Sequence, residues 1–563
     1  MIRMRARAFT DRWAGPAGWA LALAAGAGFV GVFFAWPVAA LVGRGFVDPA
    51  GQLDLSGFSD VLSRPATWTV IGRTFAQAGA GTIASIVVGL PGAYVVSRLQ
   101  FQGRGLLRAW MTVPFVLPTV VVGAAFRSLL GAGGPLGFLG WDRTAIAVLV
   151  GLVFFNYAVV VRIVGAMWER LDPRSVQAAR TLGASPARAF FTVTLPQLGP
   201  SIAAAGGIVF LFCSTAFGVV MVLGGRRHAN LEAEIYRQTT QLLDLRVAAV
   251  LSVVQLVVIA AALLAVARLR RRSERALNIT AAGAGTHRPR RADAFALAVT
   301  AIVIGLVHVL PLGSLVVRSF RTEDGWGWGN YAALATTGGR GGLNVTLWQA
   351  LATSARLATF ATVIAMVVAL LLVCTLARPI KSRLGRRIGA VVDGAVMLPL
   401  GVSAVTVGFG LLITMNNPLG LNVDLRSSGV LIAIAQGLVA LPLVVRVISP
   451  VVRAIDPRLR QSAAVLGAGP WRILRTIDVP IAARSIGLGM GFAFAASLGE
   501  FGASSFLVRP GVVTLPVAIY QLLGKQGAEH FGMAMAAAVV LGLVTTMIVV
   551  AVERIRPPGA GEF

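Results

Sequence analysis

Few residues in this 563-residue chain are of a type and setting that could do chemistry. The segment Leu498-Gly499-Glu500-Phe501-Gly502 places a carboxylate inside an otherwise apolar run. An ionisable group there costs about 2.5–3.5 kcal/mol at a bilayer centre on insertion scales, so it is a functional hypothesis by default. Two readings of Glu500 stand open: it lines a path, where it would favour a cation or gate passage, or it hydrogen-bonds between helices or near the outer interface. Asn156 is a lone amide in another apolar run, and Pro118 and Pro399 interrupt two more. Proline frees backbone carbonyls that a neighbouring helix or a cavity must satisfy, so these three residues line a path or mark packing kinks. His228, His287, His308 and His530 are scattered without metal-ligand spacing. Cys213 and Cys374 lie in apolar runs and suit neither a metal site nor a disulfide framework. There is no acid–base carboxylate pair and no Gly-x-x-x-x-Gly-Lys-Ser/Thr phosphate loop. The expectation is no catalytic residue, no metal site and no enzyme.

The elements that carry these residues follow from composition. Hydrophobic residues make up 56% of the chain, charged residues 13%, and the mean hydropathy is +0.80. About 20 apolar residues span a bilayer as a helix, and runs this continuous exclude a barrel. Twelve spans are predicted, near 15–42, 70–97, 106–130, 144–168, 199–223, 245–268, 294–317, 346–376, 388–414, 428–449, 482–508 and 532–552. Arg3, Arg5, Arg7 and Arg12 precede the first, which is too long for a signal-peptide core and reads as an uncleaved span. The net charge of +28 would suggest nucleic acid in a soluble protein. Here the basic residues fall in short loops, and with both termini in the cytoplasm the inner segments hold roughly twice as many Lys and Arg as the outer ones. The expected partner of this charge is therefore a lipid bilayer and not nucleic acid.

A basic, small-residue stretch over 269–293 reads as a flexible cytoplasmic linker between a first half, 1–268, and a second, 294–563. The halves repeat. Asp172-Pro173-Arg174 recurs as Asp456-Pro457-Arg458, Leu182-Gly183-Ala184 as Leu466-Gly467-Ala468, Phe217-Gly218 as Phe501-Gly502, and Ile235-Tyr236 as Ile519-Tyr520, each pair 284 residues apart. An even number of spans per copy makes the repeats parallel, with a pathway between them. The fold class expected is an all-α polytopic membrane protein with twelve transmembrane helices in two parallel six-helix repeats.

The loops over 171–196 and 455–480 are the most informative. Gln177, Ala178 and Ala179 precede Gly183, nine residues intervene, and Val193-Thr194-Leu195-Pro196 follows; Gln461, Ser462 and Ala463 precede Gly467, with Ile477-Asp478-Val479-Pro480 after the same gap. Each reads as a short helix, a break at glycine, a second helix and a proline at the next span. This resembles the cytoplasmic coupling loop of type I ABC-importer permeases: Glu-Ala-Ala, three residues, Gly, nine residues, Ile, any residue, Leu-Pro. The chain departs from it at Gln177 and Gln461, where that family has Glu, and at Ser462, Val193 and Val479. The resemblance implies that each loop docks on a cytoplasmic ABC ATPase, two copies in all, which use the ATP while this chain binds no cofactor. It also implies an external substrate-binding protein and a place in a bacterial inner membrane.

Outside the membrane, Glu232, Glu234, Tyr236 and Tyr520 belong to repeated segments that either contact the binding protein or cap the spans. Fused twelve-span permeases are known for thiamine and for ferric iron. The Leu223-Gly224-Gly225 segment, the paired Ile-Tyr elements and Gly499-Glu500-Phe501-Gly502 look like the thiamine type, which implies thiamine or a related small organic cation. Ferric iron, or another ion such as molybdate, is the alternative. A six-plus-six secondary transporter would also show parallel repeats, and Ser382-Arg383-Leu384-Gly385-Arg386-Arg387 faintly echoes a loop of the major facilitator class. The duplicated docking loops favour the first class.

Overall fold

The computed structural model describes residues 16–47, 52, 54–273, 286–323, 325–339, 342–376 and 383–554. The N-terminal arginines, the centre of the linker (274–285), the loop with Arg378 and Lys381, and the C-terminal end lie outside these residues. The chain is helical apart from a two-residue antiparallel pair, Arg321–Thr322 with Gly325–Trp326.

In the first half the main helices are α1 (Gly18–Phe46), α2 (Pro65–Arg98), α3 (Arg104–Val116), α4 (Thr119–Leu130), α5 (Ala145–Arg170), α6 (Pro173–Thr181), α7 (Pro186–Ser214), α8 (Phe217–Leu223), α9 (Leu231–Thr240) and α10 (Leu245–Ser273). The second half repeats the series: α11 (Arg291–Ser319), α12 (Leu347–Leu376), α13 (Arg383–Gly401), α14 (Ala404–Thr414), α15 (Val430–Ala454), α16 (Pro457–Val465), α17 (Pro470–Leu498), α18 (Ser504–Leu507), α19 (Leu515–Leu523) and α20 (Ala528–Val552). Each helix of the first half has its counterpart ten places later. Exposed Ile83, Val87, Phe295, Phe360 and Val363 form outward apolar faces of the kind that lipid covers.

Among the described residues, ten helices are long and apolar enough to cross a membrane, and eleven if the bent pair formed by α13 and α14 is one span. The third expected span of each half is not one straight helix. α3 ends at Val116, and Pro118 becomes the N-cap of α4. α13 ends two residues past buried Pro399, and Ser403 caps α14 by accepting from the Val405 amide at 3.0 Å. The fifth and eleventh spans also stop short, because α7 ends at Ser214 and α17 at Leu498. Both restart as short buried helices, α8 and α18. Close packing fixes these breaks. A Cβ on Gly502 would come within 2.9 Å of the Ala404 side chain, and one on Gly408 within 2.8 Å of the Ala503 backbone. Apart from Glu500 the break residues are uncharged, so hydropathy stays high through most of them.

Four π turns interrupt the described helices, at Gly31–Ala35, Phe190–Thr194, Ile304–Val309 and Leu474–Asp478. Each ends two residues before a proline: Pro37, Pro196, Pro311 and Pro480. Proline has no N–H to give and its ring crowds the carbonyl four residues back. A widened turn absorbs that crowding while the helix continues. This is the structural consequence of the proline that closes each sequence motif.

The chain forms two compact units that do not follow the two halves. One holds α2 to α11 with Ile519–Gly542; the other holds α1 as far as Arg44, α12 to α18, and the second part of α20. The first helix of each half thus packs in the unit of the other half. In the first unit α11 is held by Ser128 Oγ donating to Ser314 Oγ at 3.0 Å and by buried His308, whose Nε2 lies 3.2 Å from the Phe154 carbonyl. In the second, α1 buries Phe34 and Leu41, and α14 approaches the Pro37 backbone so closely that a Cβ on Gly410 would lie 3.1 Å from its carbonyl oxygen. The expected flexible linker is also shorter than 269–293. α10 continues to Ser273, and residues 286–293 are tied to the end of α2: Gln100 and His287 pair through their backbones, and Tyr94 Oη donates to Asp293 Oδ1 at 2.6 Å.

The α2–α5 contact is tight enough to test. A Cβ on Gly89 would meet Val160 Cγ1 at 2.7 Å, whereas one on Gly72 of the same helix meets nothing within 4 Å. Overpacking costs about 1–3 kcal/mol. Gly89→Leu should therefore lower the thermal stability of the detergent-solubilised protein clearly, and Gly72→Leu should leave it near the parent.

Candidate coupling loops and pathway

The two loops that carry the sequence motif have the same geometry. α6 and α16 each start with a proline behind an aspartate cap: Asp172 accepts from the Arg174 amide and Asp456 from the Arg458 amide, both at 2.9 Å. Neither helix contains a buried residue. Gln177 and Ala178, like Gln461 and Ser462, are exposed, while Ala179 and Ala463 are half-buried. Each helix ends in a Schellman arrangement, with Ala184 N–H reaching the Ala179 carbonyl at 3.0 Å and Ala468 N–H the Ala463 carbonyl at 2.9 Å. That closure needs a left-handed residue, and Gly183 (φ +87°) and Gly467 (φ +78°) supply it. The loop then re-enters the span through the π turn ahead of Pro196 or Pro480.

One feature of the loops escaped sequence reasoning. Leu182 is 88% exposed and Leu466 is 86% exposed, beside Val465 at 87%. A leucine in the same motif position stands in solvent in both copies. Leu-Gly-Ala was readable as a repeat, but nothing in the sequence told an outward leucine from a buried one.

The loops are anchored differently. At the root of the first, Arg98 Nη2 donates to the Leu171 carbonyl at 2.9 Å, and Glu169 receives Arg104 at 2.9 Å and Arg108 as well. At the corresponding helix end of the second half the charge is reversed: Arg453 pairs with Asp393 at 3.0 Å. The second loop also has an ion pair inside it, Arg460 Nε to Asp478 Oδ1 at 2.7 Å.

Glu500 occupies the break between α17 and α18. Its Oε1 accepts from the Ala503 amide at 2.7 Å, and its Oε2 accepts from the Ser504 amide at 2.9 Å and from Ser504 Oγ at 2.5 Å. Gln436 Nε2 extends the network to Ser504 Oγ at 3.2 Å. With both oxygens engaged and the residue 7% exposed, the geometry agrees with the hydrogen-bonding reading and not with a carboxylate open to a passing cation. It caps a helix N-terminus that has no water to turn to. The first-half counterpart is Ala216, whose carbonyl accepts from Asn230 Nδ2 at 3.1 Å, while Asn230 Oδ1 caps α9 by accepting from the Ala233 amide at 3.0 Å. Asn156 is buried between α5 and α7, its amide nitrogen donating to the Leu152 carbonyl at 2.8 Å and to Cys213 Sγ at 3.4 Å.

Helices α9 and α19 are each fastened to the second span of their half by a hydroxyl. Thr74 Oγ1 accepts from the Leu231 amide at 2.9 Å, and Ser354 Oγ from the Leu515 amide at 2.7 Å. This corrects the reading of Glu232 and Glu234 as contacts for an external protein. Both are buried, Glu232 at 1% exposure with Gln255 Nε2 3.4 Å away, and Glu234 held by Arg237 at 2.6 Å and Gln238 at 2.7 Å. Their carboxylates stabilise the fold of α9 and are unavailable at the surface. Tyr236, ring to ring with Phe217 at 5.4 Å, and Tyr520 are half-buried. Farther out, Asp54 accepts from both the hydroxyl and the amide of Ser56 and pairs with Arg246, which holds its carboxyl below the usual carboxylate range. Among the described residues no group of His, Cys, Asp and Glu could hold a metal ion.

A repeated bundle of spans with paired exposed loops defines a membrane permease. The family described as "Binding-protein-dependent transport system inner membrane component" matches residues 81–277 and again 377–557, and the chain belongs to that family. It is a multi-pass inner-membrane permease of the ABC importer type, a transport subunit without an ATPase site of its own. The thiamine transport system permease ThiP of Brucella abortus is 27% identical over 499 residues, 86% of this chain and 87% of that protein. The ThiP of Escherichia coli is 25% identical over 500 residues, covering 87% and 89%. The sulfate transport system permease CysT of Salmonella typhimurium is 32% identical over 214 residues, 37% of this chain and 76% of CysT. Among solved structures, a bacterial ABC transporter for the import of alginate matches at 18% identity and a TM-score of 0.37, covering 44% of this chain and 91% of that one.

The Glu500 geometry gives a direct test. Glu500→Gln leaves one of the three donors without an acceptor, at a cost of about 1–3 kcal/mol. The solubilised variant should melt several degrees lower, while the apparent KM for transported substrate stays at the parental value. A changed KM with unchanged stability would assign Glu500 to the substrate path.

Proposed function

We propose that this chain is the whole membrane part of an ATP-driven importer, with one cytoplasmic ABC ATPase docked on α6 and a second copy on α16. An external binding protein delivers the substrate, and both termini lie in the cytoplasm. The observation that carries the docking assignment is the pair of solvent-exposed leucines, Leu182 and Leu466, held at the same place on two identical helix-glycine turns. An apolar side chain displayed twice in one geometry is accounted for by a partner surface that covers it. Gln177, Ala178, Ala179, Gln461, Ser462 and Ala463 form the rest of the contacting face, and small side chains there allow close approach.

The substrate assigned is thiamine or a related small organic cation. The support is coverage, since the thiamine permeases align with both halves, over 86% of the chain. The sulfate permease is slightly more identical but aligns with only 37% of it, which makes an anion the second reading. Uptake of labelled thiamine into cells carrying this chain with its ATPase and binding protein, competed in turn by unlabelled thiamine and by sulfate, decides between the two. Absence of saturable thiamine uptake, with labelled sulfate taken up instead, would overturn the assignment.

Two substitutions test the docking. Leu182→Asp and Leu466→Asp together should abolish co-purification of the ATPase while the protein still accumulates in the membrane. Gly183→Val with Gly467→Val forces a β-branched residue into left-handed backbone. It should cut ATP-dependent uptake at least tenfold with the ATPase still hydrolysing ATP. Uptake that continues without any ATPase subunit would sink the whole reading.

A further inference from the structure

The two docking loops differ in how they are joined to the spans that follow them. In the second loop, Arg460 lies on the docking helix α16 and Asp478 is the last residue of the π turn in α17. Their side chains are 17% and 5% exposed and meet at 2.7 Å, and Arg460 Nη2 also donates to the Val452 carbonyl at 3.2 Å. The backbone route from α16 to α17 runs through the left-handed turn at Gly467 and the short connection after it. The ion pair bypasses that route and fastens the docking helix to the root of α17. In the first loop the corresponding residues are Val176 and Thr194, 284 residues earlier, which cannot form an ion pair. That loop is tied upstream instead, where Arg98 holds the Leu171 carbonyl and Arg104 and Arg108 hold Glu169.

We infer that Arg460 and Asp478 are a positioning pair that transmits movement of the second docking helix directly into α17, and that the two docking sites are therefore mechanically unequal. The inference rests on the assignment of α16 as an ATPase-docking helix. A displacement of α16 acts through Arg460 on Asp478, at the start of the helix that ends in the Glu500-capped break. A displacement of α6 reaches α7 through packing against the π turn at Phe190–Thr194, with no ion pair joining the two. The pair is largely shielded from water and Arg460 is held a second time by the Val452 carbonyl, so it holds its geometry better than an exposed ion pair would.

The test uses the full chain reconstituted in proteoliposomes with its ATPase and binding protein. Uptake per ATP hydrolysed is measured for Arg460→Met, Asp478→Asn and the double variant. The expected result is a roughly tenfold fall in uptake per ATP in each single variant, no further fall in the double, and full co-purification of the ATPase in all three, the non-additivity being that of two groups acting as one. Parental uptake per ATP in either single variant, losses that multiply in the double, or loss of the ATPase would each overturn the inference. If the neutral variants do not accumulate, Arg460→Lys decides. Its compact ammonium cannot reach Asp478 and the Val452 carbonyl in the same way, so a severalfold loss is expected, and parental coupling refutes the pair. ATP-independent uptake by the parent chain would refute the docking assignment itself, an outcome distinct from failure of the pair.

Discussion

A backbone N–H or C=O inside a bilayer has no water to fall back on, and each one left unpaired costs several kcal/mol. This fold interrupts its helices repeatedly and must settle that cost at every interruption. Three devices do so. At four prolines that delete a donor, Pro37, Pro196, Pro311 and Pro480, the helix widens into a π turn and continues. Where a helix restarts, a side chain caps it: Glu500 for α18, Ser403 for α14, Asn230 for α9. Where a helix starts beside a neighbour, that neighbour lends a hydroxyl, Thr74 to α9 and Ser354 to α19. The breaks re-aim the chain without exposing its backbone to lipid.

The same constraint explains how the compact units arise. A six-helix half with its own first span in place would close on itself. Here α1 buries Phe34 and Leu41 in the unit built from the second half, and α11 places His308 against Phe154 in the unit built from the first. Interhelical polar contacts such as Ser128 to Ser314 hold α11 there. In lipid, where apolar packing gains little over lipid contact, such contacts and close approach decide which helix sits where. The exchange ties the two halves into one permease more firmly than the chain between them could.

Much of this was legible in the sequence, and the illegible parts have a common cause. The helical class, the repeat offset and the shape of the two matching loops follow from hydropathy and from Gly183, Gly467, Pro196 and Pro480. The long loop helices begin and end where Asp172, Asp456 and the glycines dictate. The span break at Thr215-Ala216 was not legible, because small residues keep the hydropathy high whether or not the helix runs on, and at Gly499–Gly502 the sequence marked an unusual carboxylate without showing that the helix stops there. Glu232 and Glu234 read as surface charges because α9 is polar in sequence. Only the packed structure supplies Gln255, Arg237 and Gln238, which make their burial tolerable. Glu500 was singled out correctly as unusual, but a carboxylate's cost in the membrane does not reveal whether a substrate or the chain's own amides offset it.

The two halves agree in backbone and disagree in charge. The aspartate caps of α6 and α16, their Schellman closures, the π turns and the hydroxyl ties of α9 and α19 recur at matching places. The ion pairs do not: Glu169 at the end of α5 faces arginines, Arg453 at the end of α15 faces Asp393, and Arg460–Asp478 is matched by Val176 and Thr194. The backbone devices answer a demand that lipid imposes equally on both copies, so they cannot drift apart without loss of the span. A charged pair at a helix end answers only to its local partner, and either sign or none will serve provided both members change together. Reversal of a whole pair is the change that leaves each local contact intact. The symmetry of the permease therefore resides in its backbone, and any difference between its two ends of engagement must be carried by side chains such as Arg460 and Asp478.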